Sequence, residues 1–344
     1  MNEEPGIMNV DVTLTCDLSE MAAASVAAEE SGYQGIWTFE GSHDPFLPLL
    51  LAAEHTREVT LGTSIAVAFA RNPMLLATMG WDLQSYSGGR FVLGLGSQIK
   101  PHITRRYSMP WSRPAARMAD MIDAVRSIWD TWLTGGWLDY RGEFYQHTLM
   151  TPLFMPDPNV VAETGTPPIW LAGIGEHMTR TAGAVADGFL SHPLATADFI
   201  REVTIPTLNV GAASRHRDTN VDIHHSAMII VGATSEERAA AREAIRKQIS
   251  FYASTPAYWP ILELHGRASI GPQLRELSKQ GKWIEMADLI DDELVDTVAV
   301  TVNDPASGAM ELSERFGGLV DRLGFNTPYQ ADAQILAELA AAVR

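Results

Sequence analysis

The sequence holds one cysteine, Cys16, in 344 residues. A single thiol cannot close an internal disulfide and does not suggest a metal cluster. Positive charge is also scarce: 25 Lys and Arg stand against 42 Asp and Glu, a formal net charge of −17. Proteins that grip phosphate backbones need a basic face, so this balance argues against nucleic acid as a partner. No uninterrupted apolar run reaches the roughly 20 residues of a bilayer-spanning helix. The acidic opening MNEEPG is not followed by the apolar segment of a secretory signal. The expectation is a cytoplasmic protein acting on a small molecule.

What is present is apolar. Hydrophobic residues make up 46% of the chain and charged residues 19%, enough for a large core. The length allows two ordinary domains or one large α/β barrel. Apolar stretches at 8–14, 35–38, 59–65, 91–95, 169–172, 188–190, 223–231 and 319–325 read as eight short strands. Helical patterns follow them, with start signals at Asp17, Asn72-Pro73 and Ser235. Regular alternation of short buried strands with helices implies a parallel sheet. Eight repeats at this length fit a single closed (β/α)8 TIM barrel spanning residues 1–344. Two segments depart from the repeat: 137–158, a hairpin turning at Arg141-Gly142 with a proline-rich exit, and 251–290, a helical excursion.

The segment RFVLGLGSQIKPHI, residues 90–103, resembles the strand and phosphate turn of a dinucleotide-binding domain. That fingerprint requires a third glycine opening a helix. Here Gln98, Ile99, Lys100 and Pro101 follow Gly96, and no helix is expected before Pro114. The dinucleotide reading therefore fails. A glycine-rich segment at the carboxyl end of a barrel strand remains, where active sites of this fold are built; a tight turn accounts for it equally well. After the fifth strand, LAGIGEHMTR places Gly173 and Gly175 at a helix start, a suitable phosphate cradle. After the second, WTFEGSHDPF crowds Glu40, His43 and Asp44 among aromatic residues, more than a turn requires.

Taken in order, GYQGIWTFE, LGTSIAVAFARNP, SGGRFVLGLGS, PPIWLAGIGEHMTRTAGAVADGF and GGLVDRLGFNTPY resemble the luciferase-like oxidoreductases. The chain is most similar to their actinobacterial branch that uses the deazaflavin coenzyme F420. The resemblance implies a (β/α)8 barrel with insertions near the rim, a homodimer, and F420 as cofactor, with FMN the alternative. It also implies a non-prolyl cis peptide at Ser64-Ile65 beside the ring, and Gly96, Ser97 and Gln98 along the ribityl chain and phosphate end. Gly173, Ile174, Gly175, His177 and Met178 match the phosphate loop, and Glu40 matches an acidic position near the ring's pyrimidine edge. With F420 the implied reaction is hydride transfer to or from a small organic substrate; with FMN it is monooxygenation. A third possibility is a cofactor-free partner subunit.

The sequence departs from the family's dehydrogenases that act on sugar phosphates or alcohols, which often carry Asp-His where Glu40-Gly41 stands here. His43 is then the nearest candidate for proton transfer, its ordinary pKa suiting work near neutral pH; a packed structural histidine is the alternative. His102, Arg105 and Arg106 read as a mouth or a solvated face, and His224-His225 as structural. The histidines are scattered, so no metal is expected. Met74, Met79, Trp81, Met109 and Trp111 are candidates for an apolar substrate pocket, or for ordinary core.

Overall fold

The computed structural model describes residues 8–217 and 221–344; the MNEEPG segment lies outside them. At the centre stand eight parallel strands. They are β1 (Asn9–Thr13), β2 (Gly35–Thr38), β3 (Thr60–Thr63) and β4 (Phe91–Gly96), then β5 (Ile169–Gly173), β6 (Gly188–Ser191), β7 (Asp222–Ile230) and β8 (Arg322–Asn326). Each pairs with the next in chain order. β8 pairs back onto β1 with Leu323 opposite Val10, so the ring is closed. This is the (β/α)8 barrel expected from the sequence, with all eight expected strands in place. Two further short strands were not anticipated: Ala66–Val67 runs beside β4, and Ala299–Thr301 beside the carboxyl half of β7.

Successive side chains of a strand face opposite sides, and the barrel sorts them accordingly. Val10, Ile36, Leu61, Leu93, Ile169 and Leu171 belong to the large core between strands and helices. Trp37, Val92, Trp170 and Leu190 form a separate cluster with Ile65 and Ala172 beside it. The Trp37 and Trp170 rings lie 5.4 Å apart. They fit because Gly62 and Gly188 stand beside them; a Cβ at either position would come within 2.3 Å of an indole.

Local chemistry sets the helix boundaries. Asn72 accepts the Leu75 N–H and Pro73 opens helix Pro73–Tyr86, as the sequence predicts. Helix Ser235–Ala253 is capped by Thr234, which exchanges bonds with Glu237 in a capping box, so Ser235 is the first helical residue and not the cap. Asp17 precedes helix Leu18–Glu30 but makes no side-chain cap bond; its carboxylate faces His43 instead. After β4, where an irregular run to Pro114 was expected, His102–Arg106 forms a π-helical turn.

Both departures from the repeat are present. Tyr140–Arg141 pairs antiparallel with Gln146–His147, and the turn closes between Gly142 and Tyr145, just beyond the expected Arg141-Gly142. Asp120, on helix Pro114–Thr134, fixes this hairpin by accepting from Tyr140 Oη and from the Phe144 and Tyr145 N–H groups. The second segment is helical, with Trp259–Leu264, Ile270–Lys279 and Trp283–Ala287. Among the described residues no helix is long and apolar enough to cross a membrane.

Candidate active site

A cavity of about 640 Å³ opens at the carboxyl ends of β3 to β6. Ile65, Ala172 and Leu190 line it and also pack on the Trp37–Trp170 layer, so the barrel's inner core continues into the cavity wall. Ser64 and Ile65 lead off from β3, and the peptide between them is cis. Thr63, just before, donates to the Gly94 carbonyl (2.6 Å) and accepts from the Gly94 N–H (2.9 Å), pinning β3 to β4. From β4 come Gly96, Ser97 and Gln98, the last at a left-handed φ of 55°. Thus ten of the twelve residues singled out from the sequence share one cavity: Ser64, Ile65, Gly96, Ser97, Gln98, Gly173, Ile174, Gly175, His177 and Met178.

The β5 end has the chemistry of an anion site. Gly175 is the N-cap of helix Glu176–Val185 and carries no side chain to occupy the first-turn N–H groups. A Cβ at Gly175 would meet nothing within 4 Å. Lys100 and His177 also line the cavity. Glu176, the one acid in that first turn, is paired with Arg180 at 2.6 Å. N–H groups without a side-chain cap, the positive helix end and an ammonium in the same cavity together favour a phosphate.

The other two sequence candidates lie elsewhere. Glu40 is nearly buried, and the protein itself occupies its carboxylate. Oε2 accepts the Val67 N–H at 2.7 Å and pairs with Arg71, and Oε1 accepts the Tyr107 hydroxyl at 2.7 Å. Burial, then the Glu40 carboxylate, raises the Tyr107 pKa. Arg71 also reaches Asp44 at 2.8 Å. The Glu40 N–H donates to the Ile65 carbonyl, so this residue holds the Ser64–Ile65 wall from outside the cavity. His43 is half-exposed on the same loop, 3.2 Å from Asp17, and does not line the cavity.

Of the five Met and Trp candidates, Trp111 alone lines the cavity. Trp81 is fully buried against Trp132, while Met74 and Met109 pack on the large core. The structure brings into the cavity residues to which the sequence assigns no role: Lys100, His192 and Tyr258. His192 follows β6 in the run FLSHPL, the position where a barrel strand delivers its side chain to the mouth. Tyr258 arrives from the 251–290 excursion, and nothing in its own sequence context marks it.

A luciferase-like monooxygenase family model matches residues 7–322. The chain belongs to that family. An uncharacterized protein of Mycobacterium tuberculosis is 49% identical over 318 residues, 92% of each chain. A 5,10-methylenetetrahydromethanopterin reductase of Archaeoglobus fulgidus is 26% identical, over 83% of this chain and 84% of the relative. Among solved structures, the coenzyme F420 dependent tetrahydromethanopterin reductase of Methanopyrus kandleri superposes with a TM-score of 0.76. The match has 20% identity and covers 97% of both chains. The luciferase-like barrel thus accounts for the closed ring of eight strands.

Proposed function

We propose that this protein is an F420-dependent oxidoreductase that transfers hydride between the deazaflavin and a small organic substrate. The observation that carries the reading is the single cavity joining the Ser64–Ile65 wall, the Gly96–Gln98 segment and the uncapped helix start at Gly175. A phosphorylated ring cofactor needs an apolar wall at one end and an anion cradle at the other, and the residues present fit both. The reductase relatives favour F420, since the one from Methanopyrus kandleri is described as dependent on it. FMN presents the same phosphate chemistry and is the alternative.

When bound, the deazaflavin supplies a carbon centre that gives or takes a hydride without activating oxygen. The protein's own work is placement and shielding. Backbone N–H groups at Gly175–His177 hold the phosphate, with Lys100 adding charge. Ile65 and Leu190 give the ring an apolar surface, and the Glu40–Arg71–Tyr107 network keeps the Ile65 segment in place. Trp111 and Tyr258 add aromatic surface to the cavity lining.

Titration of the full chain with F420 and, separately, with FMN tests this. The expected outcome is quenching of F420 fluorescence at micromolar protein. Tight FMN binding with none for F420, and oxygen uptake with reduced FMN, would move the protein to the monooxygenases.

A further inference from the structure

A second set of cavity residues takes no part in the phosphate cradle or the Ile65 wall. His192 leaves the end of β6 and lies against two tyrosines. Its ring stacks on Tyr258 at 4.4 Å and meets Tyr252 edge-on at 4.5 Å. Nδ1 accepts the Leu194 N–H at 3.1 Å. In a neutral imidazole the accepting nitrogen carries no proton, so Nε2 carries it. Among the described residues Nε2 has no protein partner, and it is not among the sealed polar atoms. The ring edge that carries this donor is therefore open to the cavity.

The surroundings keep the donor uncharged. Burial alone pushes the His192 pKa down to about 3. Burial and then Tyr252 raise Tyr258 to about 12, and burial raises Tyr252. His225, the other titratable group close by, is itself held neutral by burial. The groups packed directly on His192 thus offer one N–H donor in an aromatic frame and no cation, the cavity's ammonium, Lys100, being assigned to the phosphate. A carboxylate or phosphate placed there would lose its hydration without gaining an ion pair, at a cost that a neutral oxygen avoids.

We propose that His192 is a specificity-determining residue: its Nε2–H donates to an uncharged oxygen of the substrate, a carbonyl or hydroxyl, while Tyr258 and Trp111 cover the substrate's apolar body. This rests on the oxidoreductase reading for the cofactor that shares the cavity. The ligand class is then an uncharged ketone, aldehyde or alcohol, and acids and sugar phosphates are disfavoured.

The test uses the full chain loaded with F420, with cyclohexanone as the uncharged probe and cyclohexanecarboxylate as its charged counterpart. Binding is followed in 15N–1H spectra of histidine-labelled protein. The expected result is a neutral Nε2–H tautomer at pH 5.5, whose signal moves saturably with cyclohexanone and not with the carboxylate. His192→Phe keeps an aromatic ring against Tyr258 but has no donor, and should weaken cyclohexanone binding by about tenfold, one hydrogen bond's worth. His192→Gln keeps an N–H donor and should restore it to within about threefold. F420 affinity should be unchanged in both variants. A protonated His192 at pH 5.5, equal binding of the carboxylate, unchanged cyclohexanone binding in His192→Phe, or no response to cyclohexanone would each overturn the proposal. If wild type fails to bind F420, it is the oxidoreductase reading that falls, and the same titrations on the chain without cofactor then decide His192.

Discussion

Arg322, on the last barrel strand, donates two hydrogen bonds to Asp11 on the first, at 2.7 and 2.6 Å. The pair lies inside the ring, where Trp37 Nε1 adds a third bond to Asp11 at 2.8 Å and His224 Nε2 stands 3.6 Å away. It joins chain ends 311 residues apart at the seam where β8 meets β1. Removing one charge of a buried pair strands the other, at about 3–5 kcal/mol. Asp11→Asn is expected to lower the unfolding free energy by about that amount in urea titrations. A loss under about 1 kcal/mol would mean that water already reaches Arg322, as in exposed pairs.

Three histidines, His224 and His225 in the core and His192 in the cavity wall, make stability depend on pH. Burial lowers His192 to about 3, His224 to about 4 against the opposing pull of Asp11, and His225 to about 3. The unfolded chain titrates near the ordinary value of about 6.5 and so binds more protons below it. The stability these groups contribute is complete above about pH 6.5 and is lost as pH falls toward about 4 for His224 and about 3 for His192 and His225. Each should add a slope approaching about 1.4 kcal/mol per pH unit within that window. Denaturant midpoints from pH 7.5 to 4.5 check this, and the His225→Phe variant should show a shallower decline.

At the cradle, Gly175→Asp separates binding from folding. Gly175 has φ −80° and ψ 151°, open to any residue, and free space where a Cβ would stand. Aspartate is a better N-cap than glycine by a few tenths of a kcal/mol, roughly, so stability should hold or rise slightly. A carboxylate near a bound phosphate is repelled by roughly 4 kcal/mol at a short separation, so affinity for F420 or FMN should fall by about 100-fold or more. Undiminished binding would place the phosphate elsewhere.

Glu40→Gln should act on stability more than on binding. The substitution leaves Arg71 with Asp44 alone and weakens charge-assisted bonds worth about 1.5–3 kcal/mol. The main-chain bond from Glu40 to Ile65 persists, so F420 affinity should stay within about threefold, under 1 kcal/mol. Weakened affinity at unchanged stability would show instead that the carboxylate faces the cofactor.

His43→Gln provides the contrast. The imidazole is half-exposed against Asp17 and outside the cavity lining. Its loss should leave turnover within about threefold on any substrate the loaded protein accepts, where a missing general acid or base costs about 10²–10⁴-fold. A drop of that larger size would require the 39–45 loop to fold over the cavity during catalysis.

Patterns that act over a few residues were legible in the sequence. All eight barrel strands follow from short apolar runs between helical stretches, because burial against both helices and barrel interior demands them. The glycines at 96, 173 and 175 announced a cavity rim, since close approach at a strand's end and an open helix start are local requirements. Distant encounters were not legible. No spacing rule sends Arg71 and Tyr107 to the Glu40 carboxylate from 31 and 67 residues away. With those partners, the Glu40 carboxylate is engaged by the protein itself and lies outside the cavity lining.

The sequence by itself determined the barrel and the glycine-rich rim of the cavity. Both depend on backbone periodicity and on glycine, which leave marks along the chain. Only the tertiary structure decided the rest of the lining. The His192 ring is framed by Tyr252 and Tyr258, 60 and 66 residues onward, and burial there lowers its pKa. An imidazole's charge is set by its solvent, and that solvent is decided by folding.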